Sequence, residues 1–268
     1  MSLLAVHVRR KMYPGARRPA LEALALTATP GEIVAIVGPS GSGKSTLLGI
    51  IAGLDRQFDG EVEIEGRRVE RNRPLAVPLG MMFQTSRLMP WLTVLDNVRV
   101  VLDRDARSTA RAREGLRRVG LAEVEHAFPG QLSGGMQRRV ALARAVAVGP
   151  ELLLLDEPLV SVDAPTAARL RQHLLEFWQA ARPTMLYVTH ELREALAVAD
   201  RIVFLSPGPG RVVLELPVNL PRPREPGDPA VGTLHDQVLA AHPELLAGLP
   251  AAADLPTGAV GPATQAAR

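Results

Sequence analysis

The amino-acid sequence predicts an α/β domain whose mostly parallel sheet is flanked by helices, with a helical subdomain set apart from it. Three observations carry that expectation. Short apolar runs recur at Ile33 to Val37, Leu152 to Leu155, Met185 to Val188 and Ile202 to Leu205, the pattern of strands buried on both faces. Helical patterns at Ser45 to Ala52, Pro165 to Ala180 and Glu191 to Ala199 lie between those runs, and such alternation calls for parallel crossovers. From about Val94 to Gly130 helical patterns follow one another without a strand.

In chain order, Leu3 to Val8 alternates apolar and polar residues and reads as a strand. Glu61 to Ile64 and Arg67 to Glu70 flank Gly66 and predict an antiparallel hairpin. Val94 to Val119 is predicted helical with a break near Asp103 to Ser108, and Met136 to Ala147 forms another helix after Ser133-Gly134-Gly135. From Pro217 the composition shifts to Pro, Ala and Gly, so that beyond a short helix near Thr233 to Ala241 the tail is expected to be poorly ordered. The expected division is therefore a main domain over 1–216, its helical subdomain at about 85–145, and a partly disordered extension over 217–268.

Composition narrows the function. At 268 residues the chain holds one large domain or a domain with a subdomain, and 47% hydrophobic content is ordinary for a globular core. No apolar run approaches the ~20 residues that span a bilayer, and the first residues lack a signal-peptide pattern. The expectation is a soluble, cytoplasmic chain that reaches any membrane through a partner. The absence of cysteine excludes disulfides and thiolate metal sites. A net charge of +3 is too mild to argue for nucleic acid. Lys11 and Lys44 are the only lysines among 31 basic residues. Generic positive charge here is arginine, so Lys44 is expected where a compact point charge is required.

The clearest motif is Gly38-Pro39-Ser40-Gly41-Ser42-Gly43-Lys44-Ser45-Thr46, between a buried strand and a helix. Its glycines let backbone N–H groups turn into one concavity around phosphate oxygens, and the helix presents its positive end to the same anion. Lys44 is expected to reach the β- and γ-phosphates and the Ser45 hydroxyl to ligate Mg²⁺. This is the arrangement of a P-loop NTPase. Leu152-Leu153-Leu154-Leu155-Asp156-Glu157 then delivers two carboxylates to the end of a buried strand, where open α/β sheets place ligands. Asp156 suits the Mg²⁺ shell, and Glu157 suits the general base that polarises the attacking water.

These two elements alone are shared by kinases, GTPases and recombinase-like ATPases. Leu132-Ser133-Gly134-Gly135-Met136-Gln137 separates them, because Ser-Gly-Gly opening a long helix makes a second anion-binding N-terminus. Two chains head to tail can each close such a site over the ATP held by the other. From about Leu3 to Val213 the chain resembles the ATP-binding subunit of ABC transporters, whose signature elements are present in order. The resemblance implies an ABC-type nucleotide-binding domain with an antiparallel β subdomain and one nucleotide site per chain. It implies that Gln84 contacts Mg²⁺ and couples to a membrane subunit, and that Ser133, Gly134, Gly135 and Gln137 bind the partner's γ-phosphate. It further implies that Asp163 lies across the dimer interface, that His190 contacts the γ-phosphate, and that Tyr13 stacks on adenine.

Thr85-Ser86-Arg87-Leu88-Met89-Pro90-Trp91-Leu92-Thr93-Val94-Leu95-Asp96-Asn97-Val98 and Leu205-Ser206-Pro207-Gly208-Pro209-Gly210-Arg211 resemble segments of importers for nitrate, alkanesulfonates and taurine. The implied partners are a second copy of the chain, integral membrane permease subunits and, indirectly, a solute-binding protein, with no nucleic acid. The implied location is the cytoplasmic face of the inner membrane, as a peripheral subunit. Ser161-Val162-Asp163 stands where the subfamily usually has Ala-Leu-Asp, and Glu191 follows His190 where Asp is commoner. The subdomain between Asn97 and Gly120 is a few residues short. Two alternatives are an exporter subunit of the same fold and a soluble ABC ATPase acting on nucleic acid or ribosomes.

Overall fold

A computed structural model of the chain describes residues 2–70, 73–103, 105–160 and 162–245. Strands β1 (Leu4–Lys11) and β2 (Leu21–Ala28) pair antiparallel and lead into β3 (Ile33–Val37), which is buried at every position. The phosphate-loop segment connects β3 to α1 (Lys44–Ile51). Next come β4 (Asp59–Ile64), β5 (Arg67–Arg68) and β6 (Leu79–Met82). The helical subdomain holds α2 (Val94–Arg99), α3 (Ser108–Arg118) and α4 (Gly134–Ala147). Strand β7 (Leu152–Asp156), α5 (Ala164–Ala181), β8 (Thr184–Thr189), α6 (Leu192–Val198), β9 (Arg201–Leu205), β10 (Val212–Pro217) and α7 (Pro229–Ala241) complete the order.

Two sheets result. One is antiparallel with order β2-β1-β4-β5; the other has order β10-β9-β3-β8-β7-β6 and is parallel except for β10 at its edge. Alternate residues of the central strands feed different cores, as strand geometry requires. Ile33, Ala35 and Val37 pack with Leu153, Leu155 and Met185 under α4, α5 and α6. Val34 and Ile36 pack with Leu152, Leu154 and Leu186 against α1 and the antiparallel sheet. A third core joins Val94, Val98, Leu116 and Val140 across α2, α3 and α4.

The register of the parallel sheet places the site. Val37 stands opposite Thr189, Asp156 opposite Val188, and Met82 opposite Leu155. The residues that leave these strands, Gly38, Glu157, His190 and the Phe83-Gln84 pair, therefore emerge at one sheet edge.

Several helix boundaries have visible causes. Thr93 caps α2 by accepting from the Asp96 N–H at 3.1 Å, Ser133 caps α4 through Met136, and Asp163 caps α5 through Thr166 at 3.0 Å. Helix α5 ends where Arg182 turns left-handed, with its guanidinium 4.1 Å above the Trp178 ring.

The structure departs from the sequence reading at the tail. Residues 217–245, expected to be loose outside one short helix, are packed: Val218, Val231, Val238 and Leu245 join the sheet's core. Arg224 is buried and donates to the carbonyls of Ala197, Ala199 and Leu220, and Arg222 pairs with Asp200. Composition concealed this, because the anchors are arginines among prolines. Ser161 and the remaining tail, 246–268, lie outside the described residues.

Candidate functional site

The loop after β3 closes around the chain's own lysine. Gly41 and Gly43 adopt φ of +81° and +86°, a region that costs side-chain-bearing residues about 1–2 kcal/mol. A Cβ on Gly43 would lie 2.5 Å from Leu21 Cδ2, so close packing also requires glycine there. Lys44 is 7% exposed, and its Nζ donates to the Gly38 and Pro39 carbonyls at 2.7 and 2.9 Å. Burial pushes the ammonium's pKa down, while the nearby charges of Glu157 and Asp156 oppose that shift. Ser42 is fully buried beneath the loop, and Ser40 lies on its exposed side. Both lysines of the chain are buried here: Lys11, 1% exposed, donates to Asp55 and to the Gln57 carbonyl.

Asp156 is 5% exposed, and its carboxyl is raised by burial against a hydrogen bond from Ser45. Its Oδ1 is a buried oxygen without a hydrogen-bond partner. An orphaned carboxylate oxygen beside a serine hydroxyl is a donor set for a hard cation such as Mg²⁺, which takes few protein ligands and keeps waters and phosphates.

Three of the sequence-selected side chains meet at Glu157. Gln84 Nε2 donates to Glu157 Oε2 at 3.1 Å, and His190 Nδ1 lies 3.5 Å from Glu157 Oε1. Glu157 has φ of +47°, a strained conformation for a non-glycine residue. Three contacts hold its backbone: its N–H donates to the Val188 carbonyl at 3.0 Å, and its carbonyl accepts from Arg138 Nη1 at 3.1 Å and from the Val160 N–H at 3.3 Å. Behind His190, Thr189 donates to Glu194 Oε2 at 2.9 Å and accepts from the Glu191 N–H at 3.1 Å. Glu194 also accepts from the buried Tyr187 hydroxyl, and burial raises its carboxyl above the ordinary range.

The other selected residues stand apart from this group. Tyr13 is 44% exposed; its hydroxyl shares a 3.0 Å hydrogen bond with Thr46, and Lys11 Nζ sits 4.5 Å from its ring centre. Ser133 and Gly134 are exposed at the start of α4, and Gly135 faces Val162 and Thr166. Gln137 is turned inward, its Nε2 donating to the carbonyls of Pro129 and Leu132. Asp163 holds its carboxyl low through the Thr166 backbone bond.

Sequence reasoning missed two arginines of α4. Arg138 holds the Glu157 carbonyl, and the buried Arg144 donates to the carbonyls of Ser86 and Arg87, just beyond Gln84. Their only signal was a basic side chain inside a helix that is otherwise apolar on that side.

The sequence profile described as "ABC transporter" matches residues 21–160. The aliphatic sulfonates import ATP-binding protein SsuB 2 of Burkholderia lata is 44% identical over 244 residues, covering 91% of this chain and 87% of its own length. The nitrate import ATP-binding protein NrtD of Synechococcus elongatus is 39% identical over 242 residues, covering 85% of this chain and 87% of its own. Among solved structures, a dimeric bacterial ABC transporter cassette superposes with a TM-score of 0.74 at 33% identity, covering 81% of this chain and 99% of that one. A dimeric cassette in a post-hydrolysis state bound to ADP and Pi matches equally well. With the glycine loop, the paired acids and the Ser-Gly-Gly helix all in place, the chain belongs to the ABC transporter family as an ATP-binding subunit.

Proposed function

We propose that this chain is the ATP-hydrolysing subunit of a bacterial importer for a small anion such as nitrate, a sulfonate or taurine. One observation carries the catalytic half of the reading. Gln84 and His190 flank a single carboxylate, Glu157, at the sheet edge that also carries Lys44.

The roles follow from that geometry. Gly38 to Thr46 cradle the triphosphate, with Lys44 exchanging its carbonyl contacts for the β- and γ-phosphates. Ser45, Asp156 and Gln84 would hold Mg²⁺, which would supply positive charge to offset the negative charge of the phosphates. The orphaned Asp156 Oδ1 supports that assignment. Glu157 accepts a proton from the attacking water, and His190 and Gln84 fix the carboxylate's direction and face the γ-phosphate. Tyr13 supports the adenine. Ser133, Gly134, Gly135 and Asp163 act on the ATP of a second copy, so that two chains enclose two nucleotides, while Gln137, expected to join them, instead braces the turn before Ser133 through the Pro129 and Leu132 carbonyls.

Closure moves the helical subdomain, about 85–145, and through the segment after Gln84 it moves permease subunits fed by a solute-binding protein. Among the described residues no helix is long and apolar enough to cross a membrane, so the membrane-spanning path falls to those subunits. The names of the relatives support import and the class of solute. A pull-down of tagged chain from gently solubilised native membranes tests the reading. Co-elution of a multispanning permease is expected. Recovery of only ribosomal or DNA-associated proteins would overturn the importer assignment and leave the ATPase site standing.

A further inference from the structure

Glu157 is asked to point at a water, at Gln84 and at His190 from a left-handed backbone that no side-chain-bearing residue adopts freely. Such a conformation persists only where its surroundings over-determine it. The N–H is fixed by Val188 in the adjacent strand, which belongs to the rigid sheet. The carbonyl accepts from the Val160 N–H of its own turn at 3.3 Å and, from elsewhere, from Arg138 of α4 at 3.1 Å. The Val188 and Arg138 contacts belong to different subdomains, and among the described residues Arg138 alone ties the Glu157 peptide to α4.

Arg138 lies in the second turn of α4, close behind the Ser133 cap. Among the described residues no carboxylate forms an ion pair with it; its hydrogen bond goes to a neutral carbonyl, and burial opposes its charge while Glu157 favours it. A half-buried guanidinium spent on a carbonyl costs desolvation that a surface arginine avoids. What it gains is a tie between the start of α4 and the peptide that aims Glu157. Farther along the helix Arg144 ties the same rod to the Ser86 and Arg87 carbonyls. Helix α4 runs from Gly134 to Ala147, a length of roughly 21 Å at 1.5 Å per residue, and a displacement at Ser133 moves both ties together.

We propose that Arg138 is a positioning residue: it aims Glu157 by holding its carbonyl, and it makes that aim depend on how the Ser133 end of its own α4 is seated. The proposal rests on the two-chain reading above. If the Ser133 end engages the nucleotide of one site, Arg138 passes that engagement to the carboxylate of the other site. The two ATP sites are then coupled through one side chain in each subunit.

Steady-state ATP hydrolysis by the full chain, with Arg138→Met, Arg138→Lys and Glu157→Gln, tests this. For Arg138→Met the expected result is a kcat about tenfold lower, a KM for ATP within about twofold of wild type, and a Hill coefficient moving towards one. Arg138→Lys keeps a donor and is expected to restore most of kcat and part of the cooperativity. Wild-type kcat and Hill coefficient in Arg138→Met would overturn the proposal. So would equal losses in Met and Lys variants together with a raised KM and a lowered melting temperature, which mark a packing role. Glu157→Gln separates the two readings. Its inactivity is expected and supports Glu157 as the group that Arg138 aims, whereas wild-type hydrolysis by Glu157→Gln would overturn the catalytic reading and the proposal with it.

Discussion

Asn97 is fully buried in α2, and its amide organises the loop that carries Trp91, which is 72% exposed. Oδ1 accepts from the Met89 N–H at 2.7 Å, while Nδ2 donates to the carbonyls of Met89, Leu92 and Thr93 at 3.0, 3.1 and 3.0 Å. Replacing it with alanine does not orphan all four groups. The Met89 carbonyl keeps the Leu92 N–H, and the Thr93 carbonyl keeps the Asn97 N–H. The Met89 N–H and the Leu92 carbonyl lose the partner that the structure gives them. At about 1–1.5 kcal/mol for each half-buried group, Asn97→Ala is expected to cost about 2–3 kcal/mol. For a domain of this size that is roughly 4–12 °C in melting temperature. Asn97→Asp keeps an acceptor for Met89 but turns a carboxylate oxygen towards three carbonyls, so at pH 7 it is expected to be at least as damaging. Urea unfolding followed by tryptophan fluorescence measures both variants. An Asn97→Ala stability within about 0.5 kcal/mol of wild type, the range of ordinary surface changes, would refute the claim that this amide holds the loop.

Gly43→Ala places a Cβ 2.5 Å from Leu21 Cδ2 and 2.8 Å from the Ala20 carbonyl at a φ of +86°. ATP affinity is expected to fall at least about tenfold, equivalent to about 1.4 kcal/mol, in a fluorescent-nucleotide titration; an unchanged affinity would contradict the loop's role. Glu194 bears on pH. Its folded carboxyl is raised above the reference of 4.5 by burial, so its contribution to stability is full below that value and is lost as pH rises through the raised one. Glu194→Gln cannot ionise, and in melting curves recorded from about pH 4.5 upward it is expected to gain on wild type, which keeps Tyr187, Thr189, Glu191 and Arg171 as its neighbours. Parallel melting profiles would show that the ionisation carries no weight.

Most of the parallel sheet was legible because its strands are continuous apolar runs, and the phosphate loop because its chemistry is local in sequence. Strand β2 was not seen: Leu21 to Ala28 is rich in Leu and Ala and favours a helix, and becomes a strand through its pairing with β1. Strand β10 alternates weakly and is fixed by antiparallel pairing to β9 at the sheet's edge. The meeting of Gln84, Glu157 and His190 could be expected from strand ends, but its supports could not. Arg138, Arg144 and Arg224 were not singled out in the sequence, and only the fold reveals that each holds at least one backbone carbonyl of another segment. The same blindness made the tail look loose.

The central claim is that Glu157 acts on an ATP enclosed between two copies of the chain. Glu157→Gln removes the carboxylate and keeps the side chain's shape, so ATP is bound but persists. Light scattering on the variant with and without saturating ATP and Mg²⁺ tests this directly. The account predicts a stable doubling of mass on adding ATP, absent with ADP and transient in wild type. A variant that binds ATP at saturation and stays monomeric would contradict the shared site.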